Sequence, residues 1–140
     1  MPGSRSGEAS RKPWARMAVL LLSVLLALAF GAAGGSKLMG AEPMVALFDQ
    51  IGLGQGFRIL TGTVEVVGAA LLLWPRGRLV GALLLAPTMV GAIGTHVLLI
   101  GGSVLPATIL LLLLTLTAYL QRRAGTAGAA RNGVTEPTTA

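Results

Sequence analysis

The stretch Arg58-Ile-Leu-Thr-Gly-Thr-Val-Glu65-Val-Val-Gly-Ala-Ala-Leu-Leu-Leu-Trp74-Pro75-Arg76 decides the fold. It is apolar for long enough to cross a membrane as a helix. It stops on an interfacial aromatic, a helix breaker and a cation able to snorkel. Glu65 is the exception inside it. A carboxylate at that depth costs roughly 2.5 to 3.5 kcal/mol on insertion scales, so it is expected to face protein and to have a partner. Lys37, Arg58 and His96 are the candidates for that partner.

Three more apolar runs surround this one: 15–38 before it, then 79–100 and 104–120, with the central run itself taken as 57–74. At 1.5 Å rise per residue each spans a hydrocarbon core of about 30 Å, the second and fourth only tightly. The linkers 75–78 and 101–103 are short and impose antiparallel neighbours. The expected fold is therefore all-α, a four-helix transmembrane antiparallel bundle occupying residues 15–121. Polar tails at 1–14 and 122–140 are expected to be disordered. Pro87 is expected to kink the third span, and Ser103 to cap the fourth, whose first turn tolerates Pro106.

Composition points the same way. Of 140 residues, 54% are apolar and only 11% charged, against roughly 25% charged in a soluble domain. So short a chain cannot hide that much apolar surface in one aqueous core, and the lipid bilayer must be part of its solvent. The net charge of +6 does not imply nucleic acid, because no nucleic-acid-binding motif accompanies it. Arg5, Arg11 and Lys12 precede the first run and Arg16 stands at its start, Arg76 and Arg78 sit in the middle linker, and Arg122, Arg123 and Arg131 follow the last run. By the positive-inside rule both termini and the 75–78 linker face the cytoplasm, while the loop 40–56 and the Gly101-Gly102 turn face outside. An alternative reading makes Arg11-Lys12, 19–30 and 31–35 a signal peptide; the apolar run outlasts an h-region, which favours a span. Without cysteine and with His96 as its single histidine, the chain builds no disulfide, thiol redox centre, iron–sulfur cluster or bis-histidine haem of its own. No metal site is expected.

The outer loop carries its own pattern. Met44, Leu47, Phe48 and Ile51 recur at i, i+3, i+4 and i+7, with Pro43 suited to a first helical position and Gly52 to a stop. This predicts a short amphipathic helix between the first and second spans, either an interfacial anchor or a lid.

On the second span, Arg58, Thr61, Glu65 and Ala69 share a face, flanked by Gly62 and Gly68. The first span offers Gly31-x-x-x-Gly35 and then Lys37. The third offers Thr88, Gly91, Ala92, Thr95 and His96 along one side. Small and polar stripes of this kind mark helix contacts in lipid. Lys37 and His96 lie roughly 30 Å up their helices and Glu65 lower, so a lysine stem reaching inward closes much of the gap. Arg58, two turns from Glu65, is out of direct reach, and Thr61 is placed to bridge. Lys37, Arg58, Thr61, Glu65 and His96 thus form a candidate polar binding cluster. The alternative is a buried ion pair that only pins helices together. No residue is assigned a catalytic role: there is no Ser/His/Asp arrangement, phosphate loop or carboxylate pair.

The run Gly34-Gly-Ser-Lys37-Leu, the loop Phe48-Asp49-Gln50-Ile51-Gly52, the pattern Phe57-Arg58-x-x-Thr61-Gly62-x-x-Glu65-x-x-Gly68 and the late His96 together resemble the DoxX-like membrane proteins, over about 18–120. The resemblance implies a four-helix protein of the bacterial cytoplasmic membrane. Relatives include a small subunit of a thiosulfate:quinone oxidoreductase and proteins placed with oxidative-stress partners. A redox role here would then be that of a quinone-binding or anchoring subunit, with quinone as the possible cofactor. The expected function is a non-catalytic accessory or ligand-binding subunit, partnered by a membrane oxidoreductase or a second copy of itself. A small proton-coupled transporter and an assembly factor for another membrane protein are the alternatives.

Overall fold

The computed structural model describes residues 13–132. It is all-helical among these residues: α1 (Pro13–Leu38), α2 (Glu42–Gln50), α3 (Gly54–Leu73), α4 (Arg78–Thr95) and α5 (Leu105–Asn132). Four stretches are long and apolar enough to cross a membrane: Arg16–Leu38, Gly54–Leu73, Arg78–Ile100 and Leu105–Arg123. Their outward faces carry large aliphatic residues such as Leu21, Leu28, Val90 and Leu112, all exposed. That surface suits lipid and would be untenable in water.

Several boundaries depart from the sequence reading. α1 begins at Pro13 and is helical through Gly31–Gly35. α5 runs on to Asn132, well past 121, because the alanine- and arginine-bearing sequence after Leu120 holds no proline to end it. The expected tails at 1–14 and 122–140 therefore lie partly in these helices and otherwise outside the described residues. α4 passes without a break through Pro87 and then widens into a π-helical turn, His96–Ile100. Gly101 and Gly102, both at positive φ, close the chain back toward α5. The Ser103 hydroxyl accepts from the Leu105 N–H at 3.3 Å, close to its expected capping role.

α1 packs most extensively on α3, α3 on α4, and α4 on α5, whereas α1 meets α5 only lightly. The core is formed by Leu26, Phe30, Leu72, Leu85 and Leu114, with Ser23 and Thr117 fully buried among them. Those two hydroxyls bond back to the carbonyls of Val19 and Leu113, four residues earlier, so neither is left unsatisfied.

Glycines set the helix separations. A Cβ on Gly81 would lie 2.8 Å from the Gly68 carbonyl and 2.9 Å from Leu71 Cβ; one on Gly68 would lie 2.5 Å from Leu85. One on Gly34 would meet the Gly62 carbonyl at 2.8 Å. This corrects the expected register on α1. Gly31 and Gly35 have nothing within 4 Å, and Gly34 makes the contact, a rotation of about 100° around the helix. Arg78 is a second correction. Instead of standing in the linker, it opens α4, is buried, and donates from Nε to the Leu72 carbonyl at 3.1 Å. An end-of-helix carbonyl thereby gains a charged donor. Gln121 of α5 donates to the Pro75 carbonyl at 2.8 Å, fastening α5 to the α3–α4 turn.

Candidate functional site

Lys37 stands in the last turn of α1, where a cation also suits the helix dipole. The Gly34–Gly62 approach brings that turn against α3, and the Lys37 stem lies over Gly62, whose added Cβ would sit 3.0 Å from Lys37 Cβ. The ammonium reaches inward and donates to Glu65 Oε2 at 2.7 Å. Glu65 is 3% exposed. Of the three candidate partners, Lys37 is the one that pairs with it.

Arg58 does different work. It is 8% exposed and donates from Nη1 to the Lys37 carbonyl and from Nε to Gln55 Oε1 at 2.5 Å. Gln55 in turn donates to Asp49 Oδ1 at 2.6 Å and to the Val45 carbonyl at 3.1 Å. One chain of hydrogen bonds thus ties the end of α1, the start of α3 and the outer face of α2. Sequence reasoning overlooked Gln55. Its single signal is a polar side chain one turn before Arg58 on the same helix face.

α2 presents Phe48 inward, buried, with Met44, Leu47 and Ile51 half-buried beside it; Glu42, Pro43, Ala46, Asp49 and Gln50 are exposed. Phe48 meets Phe57 of α3 in a tilted ring contact, centroids 6.3 Å apart. Gly52 ends the turn at φ +72°, a conformation glycine adopts without strain.

Beneath α2 lies a cavity of about 1020 Å³, bordered by α1, α2, α3, α4 and the start of α5. Its wall is mostly apolar. Phe30, Leu60, Val64, Pro87, Met89 and Leu110 contribute, and Lys37, Thr61, Glu65 and His96 bring the polar groups. The structure therefore gathers four of the five proposed cluster residues on one cavity. Arg58 is not part of that wall and stands behind it.

The predicted hydrogen bonding within the cluster is only partly present. Thr61 does not bridge to Glu65; its hydroxyl turns back to the carbonyls of Phe57 and Arg58, both at 3.0 Å. The same habit recurs around the wall: Ser36 bonds to the Ala33 carbonyl at 2.8 Å, Thr88 to Leu85 at 2.6 Å and Thr95 to Gly91 at 2.9 Å. A helix offers a free acceptor lobe three or four residues back, and a short hydroxyl takes it. His96 does not touch Glu65. Its Nδ1 lies 3.1 Å from the Gly101 carbonyl across the π turn. A carbonyl only accepts, so Nδ1 carries the proton, and in the neutral ring Nε2 is left as an acceptor. The 96–100 π turn was not foreseen either; such turns recur at functional sites.

Chemically, the site is an apolar chamber with one ion pair, one imidazole and several hydroxyl oxygens on its wall. Among the described residues no group of three or more His, Asp or Glu is placed to hold a metal ion.

Comparison with curated proteins and with solved structures finds no match to this chain. The model of the DoxX-like family matches residues 21–119, more than half of the chain. The matched segment holds α2, α3, α4 and most of the lengths of α1 and α5, and with them every residue named on the cavity wall. The chain belongs to the DoxX-like family, as a membrane protein with four apolar helices.

Proposed function

We propose that this protein is a ligand-binding accessory subunit of the bacterial cytoplasmic membrane, holding an amphiphile of quinone type in the chamber under α2. The single observation that carries this reading is a mostly apolar cavity of about 1020 Å³ with the Lys37–Glu65 pair and His96 on its wall. Pockets for small amphiphiles have this make-up: a greasy chamber with a few convergent polar groups. A pin between α1 and α3 alone has no need of an adjoining chamber. The chain's part is to bind and position the ligand; the redox centres belong to a partner oxidoreductase, and a second copy of this chain is the other partner of the proposal.

In this reading the four spans are an antiparallel bundle with α2 and residues 101–103 on the outer side and both termini in the cytoplasm. Support comes from the Gln121–Pro75 bond, which sets the end of α3 beside that of α5, and from α2 and Ser103 bordering the same cavity. Exposed Trp14, Trp74 and Tyr119 lie toward the same end as Arg16, Arg76, Arg122 and Arg123, an aromatic and basic girdle of the cytoplasmic kind.

The test is photolabelling of the protein in nanodiscs with a short-chain azidoquinone, offered in both its quinone and its quinol form. Labelled peptides are expected to come from the walls of α1, α3 and α4. Glu65→Gln should lower the labelling several-fold while leaving protein yield unchanged. Equal loss of yield and labelling in that variant would reduce the pair to a structural pin.

A further inference from the structure

The hydrogen-bonding inventory of the chamber narrows what it accepts. The hydroxyl protons of Ser36, Thr61, Thr88 and Thr95 are all engaged with carbonyls of their own helices. Each therefore offers the chamber oxygen lone pairs and no donor. His96, with Nδ1 donating to Gly101, has a further acceptor at Nε2 in its neutral ring. Among the described residues the lysine's bond is to Glu65 Oε2, and Oε1 is left to accept from a guest. On the donor side stand the two remaining ammonium protons of Lys37 and the Ser103 hydroxyl, whose oxygen accepts from Leu105. The wall is acceptor-rich. It is also neutral overall, because its two charges belong to one 2.7 Å pair.

We infer that the chamber selects an uncharged amphiphile whose head group donates a hydrogen bond: an alcohol, a phenol or, of a quinone couple, the quinol form. This rests on the ligand-binding reading above and sharpens it. A carboxylate head would bring an uncompensated charge beside Glu65 into a medium of low dielectric. A ketone or ether would meet lone pairs with lone pairs, leaving only Lys37 and Ser103 to serve it. A hydroxyl satisfies both sides, giving its proton to a wall acceptor and receiving one from Lys37.

Three probes of one shape separate these cases: 4-dodecylphenol, its methyl ether and 4-dodecylbenzoate. Binding to the protein in nanodiscs is measured by equilibrium partition against empty discs. The phenol is expected to bind at least about tenfold more tightly than either analogue, the difference one unsatisfied buried polar group produces. Glu65→Gln, which leaves Lys37 as an uncompensated cation, should raise benzoate binding about tenfold while the phenol weakens. Ether or benzoate binding as tight as phenol in the wild-type protein overturns the inference and leaves the chamber as a ligand site. No excess binding of any probe over empty discs overturns the ligand-binding reading itself. The wild-type comparison needs no variant, so misfolding of Glu65→Gln leaves it decisive.

Discussion

The seam between α3 and α4 is closed at one end and open at the other. Toward the α3–α4 turn, Gly81 rests on the Gly68 carbonyl, Leu85 fills the space over Gly68, and Leu72 is fully buried. Further along, Glu65 and Val64 on α3 and Pro87 and Thr88 on α4 all line the cavity. Gly91, as small as Gly81, has nothing within 4 Å. Glycine content is therefore not what closes a helix pair. At the closed end each glycine receives a leucine or a backbone, giving the dense contact that drives association in lipid. At the open end no side chain or backbone comes up against Gly91, and the space beside it is left for something else.

The largest effect expected from breaking this contrast is at Gly81. Gly81→Leu puts a side chain into backbone that cannot move aside, and should destabilise the protein by ~3 kcal/mol or more, the upper range for overpacking. Gly91→Ala should leave stability unchanged or raise it by up to about 1 kcal/mol, because open space takes the methyl and alanine is the better helix former. Thermal unfolding in detergent with both variants side by side checks the pair. Comparable losses would mean that α4 is packed evenly along its length.

Next in size is the ion pair at the edge of the open end. Lys37→Met and Glu65→Leu each strand a charged partner, and the double variant strands neither. A double-mutant cycle on unfolding in detergent should return ~1–2 kcal/mol of coupling, the range for polar contacts between helices in lipid. A coupling indistinguishable from zero would show that the two charges find other partners when separated.

The smallest effect is on the roof of the cavity. Gln55→Ala removes the bonds to Val45 and Asp49 and should loosen α2 by ~0.5–1 kcal/mol. Amide hydrogen exchange should quicken in α2 and stay unchanged at Leu72 and Leu85. Uniform quickening would make α2 part of the same cooperative unit as the closed end.

Much of this contrast could be read in the sequence, but not its sense. The apolar runs marked the four spans, and a carboxylate inside one of them demanded a partner that Lys37 supplies. The stripe Thr88, Gly91, Ala92, Thr95 and His96 was visible on one face of α4, read as a helix contact, and it lines a cavity instead. Periodicity locates a face; what stands opposite depends on the sizes of residues on another helix. The same limit explains Gly34. The pattern Gly31-x-x-x-Gly35 was the evident small-residue motif, yet the rotation of α1 is set by the Lys37–Glu65 bond and by the Gly62 backbone, both remote in sequence. Arg78 illustrates a third limit. Charge counts place a basic residue at a membrane face and say nothing of a nearby helix end with a carbonyl to satisfy.

The double hold on Lys37 has a thermodynamic consequence. Its carbonyl is gripped by Arg58 and its ammonium by Glu65, so backbone and side-chain tip are immobile together. Freezing a lysine side chain costs up to ~2 kcal/mol of rotamer entropy. Here folding has already met that term before any guest arrives. A molecule entering the chamber meets a cation in its final position and loses no affinity to ordering it, so its association should show little dependence on lysine dynamics.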